Sequence, residues 1–423
     1  MNIKILTVGT RGDVQPFVAL GRELRRRGHE VTICTGENFK AIVEGYGVSF
    51  SPVRVDYLKL TQSEEGQKMM NGNPLAVLKN MKTLVYPLME QMLEDLWEAA
   101  QDAEVLIYHP KAFGGYDITE KLQIPVFAAH PIPVIAPTGL FTNPALPVSA
   151  SIGWINQLSF RMNRLFMAAF FSIINRWRQD TLGLTTKRTL LSDDLKIKGK
   201  QIPVLYGCSP RVIPYDPTWK DQVSMSGFWF LEEEEGWKPS AEVLQFLEEG
   251  PPPLAISFSS MPLKDPNRVR EMLVEALEKT NQRGVLMTGW SGMESSPLSP
   301  RIFTINALPH TWLFPRTCGV IHHGGAGTTA AVLKSGKPMI ICPFSADQPF
   351  WAKRMKELGI ATSPLKEKEM SVESFVHRIQ ELTSNPLLSR KAAMLANDLN
   401  RETALEDTAQ FIEKKVERWR ERG

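Results

Sequence analysis

The sequence predicts an α/β protein made of two doubly wound, Rossmann-like domains facing each other across a cleft, and three observations carry that prediction. Apolar runs rich in Val and Ile alternate with helix-period segments, the pattern of a parallel sheet covered on both faces. The alternation occurs twice along the chain. In each half a short polar or glycine-rich segment follows directly on a strand, where the carboxyl ends of such sheets hold their ligands.

In the first half, strands are expected at Ile3 to Val8, Glu30 to Thr35, Val48 to Pro52, Glu104 to Tyr108, Val126 to Ala129 and Val204 to Gly207, with helices between them. In the second half they fall at Leu254 to Ser259, Val285 to Thr288, Ile302 to Asn306, Gly319 to His323 and Pro338 to Pro343. Between the two sets, Ile213 to Pro253 carries prolines, Trp219, Trp237 and the run Glu232 to Glu235, which break any periodicity. The domains are therefore drawn at 1–212 and 254–423, with 213–253 as the connection and the start of the second domain. Two carboxyl sheet edges brought face to face make the cleft between them the expected active site.

At 423 residues the chain has room for two or three domains of ~100 to 200 residues each. Hydrophobic residues make up 43% and charged ones 22%, which excludes a disordered chain. With 49 Lys and Arg against 46 Asp and Glu, the formal charge of +3 gives no reason to expect a nucleic-acid partner. Cys34, Cys208, Cys318 and Cys342 form no CxxC pair, so neither a zinc knuckle nor a disulfide framework is expected, and a reducing cytoplasm is. The N-terminus has no signal-peptide pattern. The most apolar tract, Leu165 to Ile174, is about half the ~20 residues a membrane span needs and is flanked by Arg161, Arg164, Arg176 and Arg178, so peripheral contact is the most it suggests. The basic segment Lys414 to Arg422 reads as a solvated helix end.

The sharpest chemical feature is Ile321-His322-His323-Gly324-Gly325-Ala326-Gly327-Thr328-Thr329, where a strand ends and a helix starts near Thr328. Glycines let the backbone approach a ligand closely, and the first unpaired N–H groups of a helix favour a phosphate. A plain glycine turn with threonine caps is the bland alternative. Adjacent histidines at a strand end point to opposite faces, so one can face the ligand while the other packs, and no metal site is expected. Gly325-Ala326-Gly327-Thr328-Thr329-Ala330 also fits the dinucleotide fingerprint by its letters, with Asp347 at the distance of a ribose-binding acid. At least three strands of the second domain precede it, whereas that fingerprint normally occupies the first βα turn, so its position favours a mononucleotide diphosphate.

A second junction on the same edge delivers Ser345-Ala346-Asp347-Gln348-Pro349-Phe350-Trp351. A carboxylate beside a carboxamide suits the vicinal hydroxyls of a sugar, with a helix N-cap as the alternative for Asp347. In the first domain, Thr10-Arg11-Gly12-Asp13-Val14-Gln15-Pro16 follows the first strand, with a helix expected from about Phe17. Asp13 is either an N-cap or a general base, and as a base it needs an apolar acceptor site that raises its pKa from ~4.

The stretches Gly9 to Pro16, His322 to Thr329 and Asp347 to Trp351 together resemble glycosyltransferase family 1, in the branch with sterol glucosyltransferases and macrolide and glycopeptide glycosyltransferases. The resemblance spans nearly the whole chain. It implies the two-Rossmann GT-B fold, an acceptor-binding first domain, a nucleotide-sugar-binding second domain, and inverting transfer that needs neither metal nor cofactor. By position, Asp13 matches the base that deprotonates the acceptor, with Gly12 beside it at the donor, and His322 matches the histidine that touches the diphosphate. Gly325, Ala326, Gly327 and Thr328 match the pyrophosphate-binding helix start, and Asp347 with Gln348 the pair that binds the sugar hydroxyls. His310 lies in the segment that holds the nucleobase, and Ser260 matches the serine of a loop beneath the phosphates. Ser259 and Ala307 depart from the pattern, at a usual glycine and at a base-stacking tryptophan. UDP-glucose is the favoured donor, with a TDP-sugar open.

The acceptor is expected to be bulky and apolar, because Phe141 to Trp177 is crowded with Phe, Met, Leu, Ile and Trp. Trp154, Leu158, Leu165, Phe166, Met167, Phe170 and Phe171 have the spacing of a helical core, so packing is the first expectation for them. Phe141, Phe166 and Phe170 are the candidates for a pocket wall, and His109 and His130, each near a strand end, for lining the cleft, with a hydrogen-bonded core histidine as the first expectation for each. A dinucleotide-dependent oxidoreductase and a non-catalytic nucleotide-sugar-binding protein are the competing readings.

Overall fold

A computed structural model describes residues 1–55, 85–146, 152–232, 237–258, 265–289, 293 and 299–421. Its strands are β1 (Asn2–Leu6), β2 (Glu30–Gly36), β3 (Ser49–Val53), β4 (Val105–Tyr108), β5 (Val126–His130), β6 (Lys196–Ile197), β7 (Lys200–Gln201), β8 (Val204–Tyr206), β9 (Val223–Met225), β10 (Leu254–Ser257), β11 (Gly284–Met287), β12 (Ile302–Ile305), β13 (Gly319–His322) and β14 (Met339–Ile341). Its helices are α1 (Arg11–Arg26), α2 (Lys40–Gly45), α3 (Tyr86–Ala100), α4 (Gly115–Leu122), α5 (Gly153–Ala168), α6 (Phe171–Asp180), α7 (Ala241–Glu248), α8 (Pro266–Lys279), α9 (His310–Leu313), α10 (Ala326–Ser335), α11 (Gln348–Glu357), α12 (Val372–Ser384), α13 (Pro386–Leu399) and α14 (Ala404–Arg420).

The chain divides into two compact units, one of Met1–Asn143, Ser149–Glu232 and Thr403–Gly423, the other of Pro144–Val148 and Glu233–Glu402. In the first, the parallel sheet runs β3-β2-β1-β4-β5-β8-β9. Side chains alternate across its two faces. Ile3 and Ile5 pack with Phe17 and Val18 of α1 and Ile412 of α14, while Leu6 and Leu106 meet Met92 and Leu96 of α3 on the other side. In the second unit the order is β12-β11-β10-β13-β14, again parallel, with Ile256 and Ile321 packed against Leu273 of α8 and Phe375 of α12.

Counted within each unit, the five-stranded order reads 3-2-1-4-5 and the seven-stranded one begins the same way, and in each the strand order reverses between the first and fourth strands, which is where such sheets bind ligands. In unit 1 that point lies between β1 and β4, and in unit 2 between β10 and β13.

Three expectations need correction. The stretch 213–253, read as aperiodic connection, contains β9, the edge strand of the first sheet. The terminal helix α14, placed by sequence with the second domain, belongs to unit 1, where Ala409, Ile412 and Val416 bury its apolar stripe. Helix α1 starts at Arg11 rather than near Phe17, because Thr10 and Asp13 form a capping box and Pro16 falls inside the helix.

Unit 1 also buries an ion cluster. The Arg178 guanidinium is fully enclosed and donates to Asp117, to Glu120 at 2.9 Å and to the Thr186 carbonyl at 3.0 Å. Removing one partner strands a buried charge, so Arg178→Ala is expected to destabilise the protein by about 3 to 5 kcal/mol. Urea unfolding followed by circular dichroism measures this.

Candidate active site

Asp13 sits at the third position of α1, just past the carboxyl end of β1. The Thr7 hydroxyl donates to the Asp13 carbonyl at 2.6 Å and fixes the main chain there. Its carboxylate turns back over the preceding loop, where Oδ2 accepts the Thr10 N–H at 2.8 Å and the Thr10 hydroxyl at 3.1 Å. Gly9, at φ +138°, makes this possible, since a Cβ there would stand 2.3 Å from Asp13 Oδ2.

β4, the neighbour of β1, ends in a segment that returns to the same carboxylate. Lys111 Nζ donates to both Asp13 oxygens at 2.8 Å, and His109 Nε2 lies 3.5 Å from Oδ1. The Lys111 N–H donates to His109 Nδ1 at 3.1 Å, which leaves the ring proton on Nε2, a buried atom with no hydrogen-bond partner among the described residues. The His130 ring lies 4.4 Å from that of His109, and its Nδ1 accepts the Ile132 N–H at 2.9 Å. Phe17 closes the far side, edge-on to His109 at 5.8 Å.

The electrostatics differ from the expectation for Asp13. Burial pushes its carboxyl up, but the Lys111 ammonium, the His109 ring and the Thr10 N–H outweigh that and hold it well below the usual carboxylate range. Asp13 is thus a locked anion, not a carboxyl raised by an apolar pocket. Burial keeps His109 neutral, lowered to about 4 against the pull of Asp13, and lowers His130 well below its ordinary value.

In unit 2 the glycine turn leaves β13 at the strand-order reversal. Gly325 caps α10 without any side-chain cap bond, so the first N–H groups of the helix have no intrahelical partner, and Gly327 is exposed with open space where a Cβ would be. The histidine pair splits as its alternation requires. His322 is wholly enclosed, with Nδ1 accepting the Gly324 N–H at 3.1 Å and Nε2 3.5 Å from Met339 Sδ. The His323 ring borders the helix start, with Nε2 at 2.4 Å from where a Cβ on Gly325 would stand. Burial lowers His322 well below its ordinary value and His323 to about 4.

At the next junction, Asp347 Oδ2 accepts from Trp351 Nε1 at 2.8 Å, and Gln348 Oε1 accepts the Phe344 and Ser345 N–H groups at 2.8 and 3.2 Å. The intervening Ala346 has φ +52°, a left-handed conformation costing ~1 to 3 kcal/mol in a residue with a Cβ. The His310 ring of α9 stacks on Phe314, just past that helix, at 4.5 Å, and α9 packs on α10. Thr328 is buried, Ala326 half-buried, and Gly12 exposed in the first turn of α1. Ser260 lies outside the described residues, as does Ser259.

The acceptor candidates scatter. Phe170 stacks on Phe113 at 5.2 Å, beside the segment that carries His109 and Lys111. Phe141 packs toward Phe160 at 6.3 Å, and Phe166 is 64% exposed on α5. The expected helical core of α5 is therefore corrected: Trp154, Leu158, Leu165 and Phe166 all face outward. A cavity of about 400 Å³ near Pro125, Lys200 and Trp419 opens at the amino end of β5, away from the ligand edge.

His109, His130, His322 and His323 share one consequence. Their folded pKa values lie below 6.5, so the fold refuses protons that the unfolded chain takes up. Their stability is fully present above pH 6.5 and is lost as pH falls toward 4. The melting temperature is expected to drop across that window by calorimetry, and His323→Gln to flatten the slope.

Residues 3–138 match the glycosyltransferase family 28 N-terminal domain, and residues 285–414 the erythromycin biosynthesis protein CIII-like C-terminal domain. The structure resembles the kitacinnamycin glycotransferase (19% identity, TM-score 0.71, 98% of this chain and 99% of that one) and CalG4, the calicheamicin glycosyltransferase (16%, 0.71, 99% and 98%). The fold is GT-B. VinC, solved in complex with DTDP, has the same GT-B likeness at 16% identity and a TM-score of 0.65, over 99% of this chain and all of that one. Among curated proteins, the sterol 3-beta-glucosyltransferase UGT80A2 of Arabidopsis thaliana is 34% identical over 416 residues, 96% of this chain and 64% of its own. The sterol 3-beta-glucosyltransferase of Pichia angusta is 31% identical over 426 residues, 98% of this chain and 33% of its own. The chain thus spans from about a third to just under two thirds of these relatives' length. In this GT-B chain, the first match takes in Asp13, His109, Lys111 and His130, and the second takes in His310, the glycine turn, Asp347 and Gln348.

Sequence reasoning missed Lys111. It stands three residues past β4 and ninety-eight from Asp13, and the signal lay in strand order: a Rossmann sheet sets its first and fourth strands side by side.

Proposed function

We propose that the chain is an inverting, metal-independent glycosyltransferase of family 1 that moves glucose from UDP-glucose to the hydroxyl of a lipophilic acceptor, with sterols the first class to try. The observation that carries this reading is the helix start at Gly325, whose unspent N–H groups stand at the strand-order reversal of unit 2. The sterol glucosyltransferase names of its relatives support the acceptor class, and the DTDP complex of VinC keeps a TDP-sugar as the second donor to test.

In the proposed reaction, Asp13 accepts the acceptor's hydroxyl proton as that oxygen bonds to the anomeric carbon and the bond to the diphosphate oxygen breaks. The leaving charge falls on main-chain N–H groups at Ala326 to Thr328, and preorganised donors of this kind are typically worth ~2.7 to 4 kcal/mol each. His323 borders that helix start. His322 acts from behind it, holding the turn through Gly324. Asp347 and Gln348 receive the sugar, with His310 near the base. Lys111 must leave Asp13 before the carboxylate can take a proton, and its half-exposed side chain has room to swing into solvent. A cytoplasmic setting, with or without membrane association, is part of this proposal.

Incubation with UDP-glucose, TDP-glucose and a panel of sterols and other hydroxylated lipophiles tests the reading. A hexose mass gain dependent on UDP-glucose is expected, and no gain with any pair overturns it. Chelation with EDTA is expected to leave the initial rate unchanged, since the leaving charge is met by protein dipoles.

A further inference from the structure

Helix α5 is amphipathic with its faces reversed. The side it turns inward buries Phe160 but is otherwise polar, and its polar groups are matched to the loop preceding it. The Thr142 hydroxyl donates to Asn156 Oδ1 at 2.7 Å, Asn156 Nδ2 donates to the Gly139 carbonyl at 2.9 Å, and the Asn143 N–H donates to Ser159 Oγ at 2.8 Å. One turn on, Asn163 Nδ2 donates to the Val134 carbonyl at 2.9 Å. At about 100° per residue the opposite side gathers Trp154, Leu158, Met162, Leu165 and Phe166 into one stripe, and all five are exposed. The hydrogen bonds fix the rotation of the helix, so the apolar stripe cannot roll inward without stranding buried amides.

The charge carried by the helix itself has one sign. Helix α5 contains no Asp or Glu, and Arg161 is exposed at its edge. Arg164 reaches Asp193 at 3.6 Å and Asp194 at 3.5 Å, joining the helix to the turn where Leu190 and Leu191 stand exposed, Leu191 at 93%. Those two carboxylates are also paired with Arg188 and Lys196, and Lys187, Lys198 and Lys200, near them in sequence, are exposed.

We propose that the α5 stripe and Leu190-Leu191 dock on an anionic lipid bilayer, the helix lying along the surface with Trp154 at headgroup depth and the cations on the phosphates. A helix with a large apolar face, a basic rim and no acid has the make-up of an interfacial helix. A second copy of the chain fits worse, because a two-fold contact through this face would set Arg161 and the lysines against their own images. The proposal does not depend on the reaction proposed above.

The test is sedimentation of the full-length chain, without donor or acceptor, with phosphatidylcholine vesicles and with vesicles containing phosphatidylserine. Binding to the phosphatidylserine vesicles, weakened by salt, is expected. Leu158→Glu/Leu165→Glu should weaken it by about tenfold or more with an unchanged melting temperature, and Trp154→Ser/Leu191→Ser should weaken it in the same direction without adding charge. The proposal is overturned if the wild type stays in the supernatant with anionic vesicles, or if both double variants bind as the wild type does. It is equally overturned if ultracentrifugation finds a dimer that the leucine-to-glutamate variant splits, since a second copy would then be the occupant.

Discussion

Asp13→Asn is expected to lower glucosyl transfer by ~10²- to 10⁴-fold, the contribution a general base typically makes, while leaving UDP-glucose affinity unchanged. The amide keeps the shape of the side chain and one acceptor oxygen for the Thr10 N–H, so the capping box of α1 survives. What is lost is the site that takes the proton. Transfer measured by mass spectrometry, with donor affinity measured by calorimetry on the same preparation, separates the two effects. Loss of donor binding together with turnover would mean that Asp13 holds the loop rather than the proton. Unchanged turnover would remove it from the mechanism, and the base would have to be sought at His109 or His130.

How far the sequence foretold this site follows from what a sequence can encode locally. Buried parallel strands read as unbroken apolar runs, so β1, β4, β10 and β13 could be placed from Ile and Val content alone. The edge strand β9, three residues among prolines and tryptophans, has no such run and went unread. Periodicity found the stripe on α5 but could not tell which way it faces, because the answer lies in Asn156, Ser159 and Asn163 bonding to the segment 134–143. The glycine turn was legible since its glycines and its helix are contiguous. The partner of Asp13 was not, because Lys111 reaches it through sheet order, and without that partner a base at this position requires an upward shift, where the structure holds the carboxylate down.

Lys111→Met tests that last point through pH. In the wild type, Lys111 is the leading attractive partner of Asp13, and with it in place the carboxylate stays ionised to well below its ordinary pKa. The free-enzyme profile, kcat/KM against pH, should therefore carry no acid limb from Asp13 in any range where the protein is folded. Methionine retains the length and apolar stem of lysine and removes the charge. Burial, which raises the carboxyl, is then opposed only by the His109 ring and Thr10, so the folded pKa moves up by about 1 to 3 units or more, as loss of a close opposite charge typically does. A carboxyl raised in this way is protonated, and inactive as a base, below its new pKa. The variant should lose kcat/KM by roughly tenfold per unit as pH falls below the new carboxyl pKa, the slope of a single titration, where the wild type stays flat. Above that pKa it should equal or exceed the wild type, because the carboxylate no longer has to shed an ammonium before it takes the acceptor's proton. Lys111→Arg, which restores the charge, should restore the flat acid side. A Met variant with the wild-type profile would mean that Lys111 has already left Asp13 in solution, and that the anion is held by Thr10 and His109 alone.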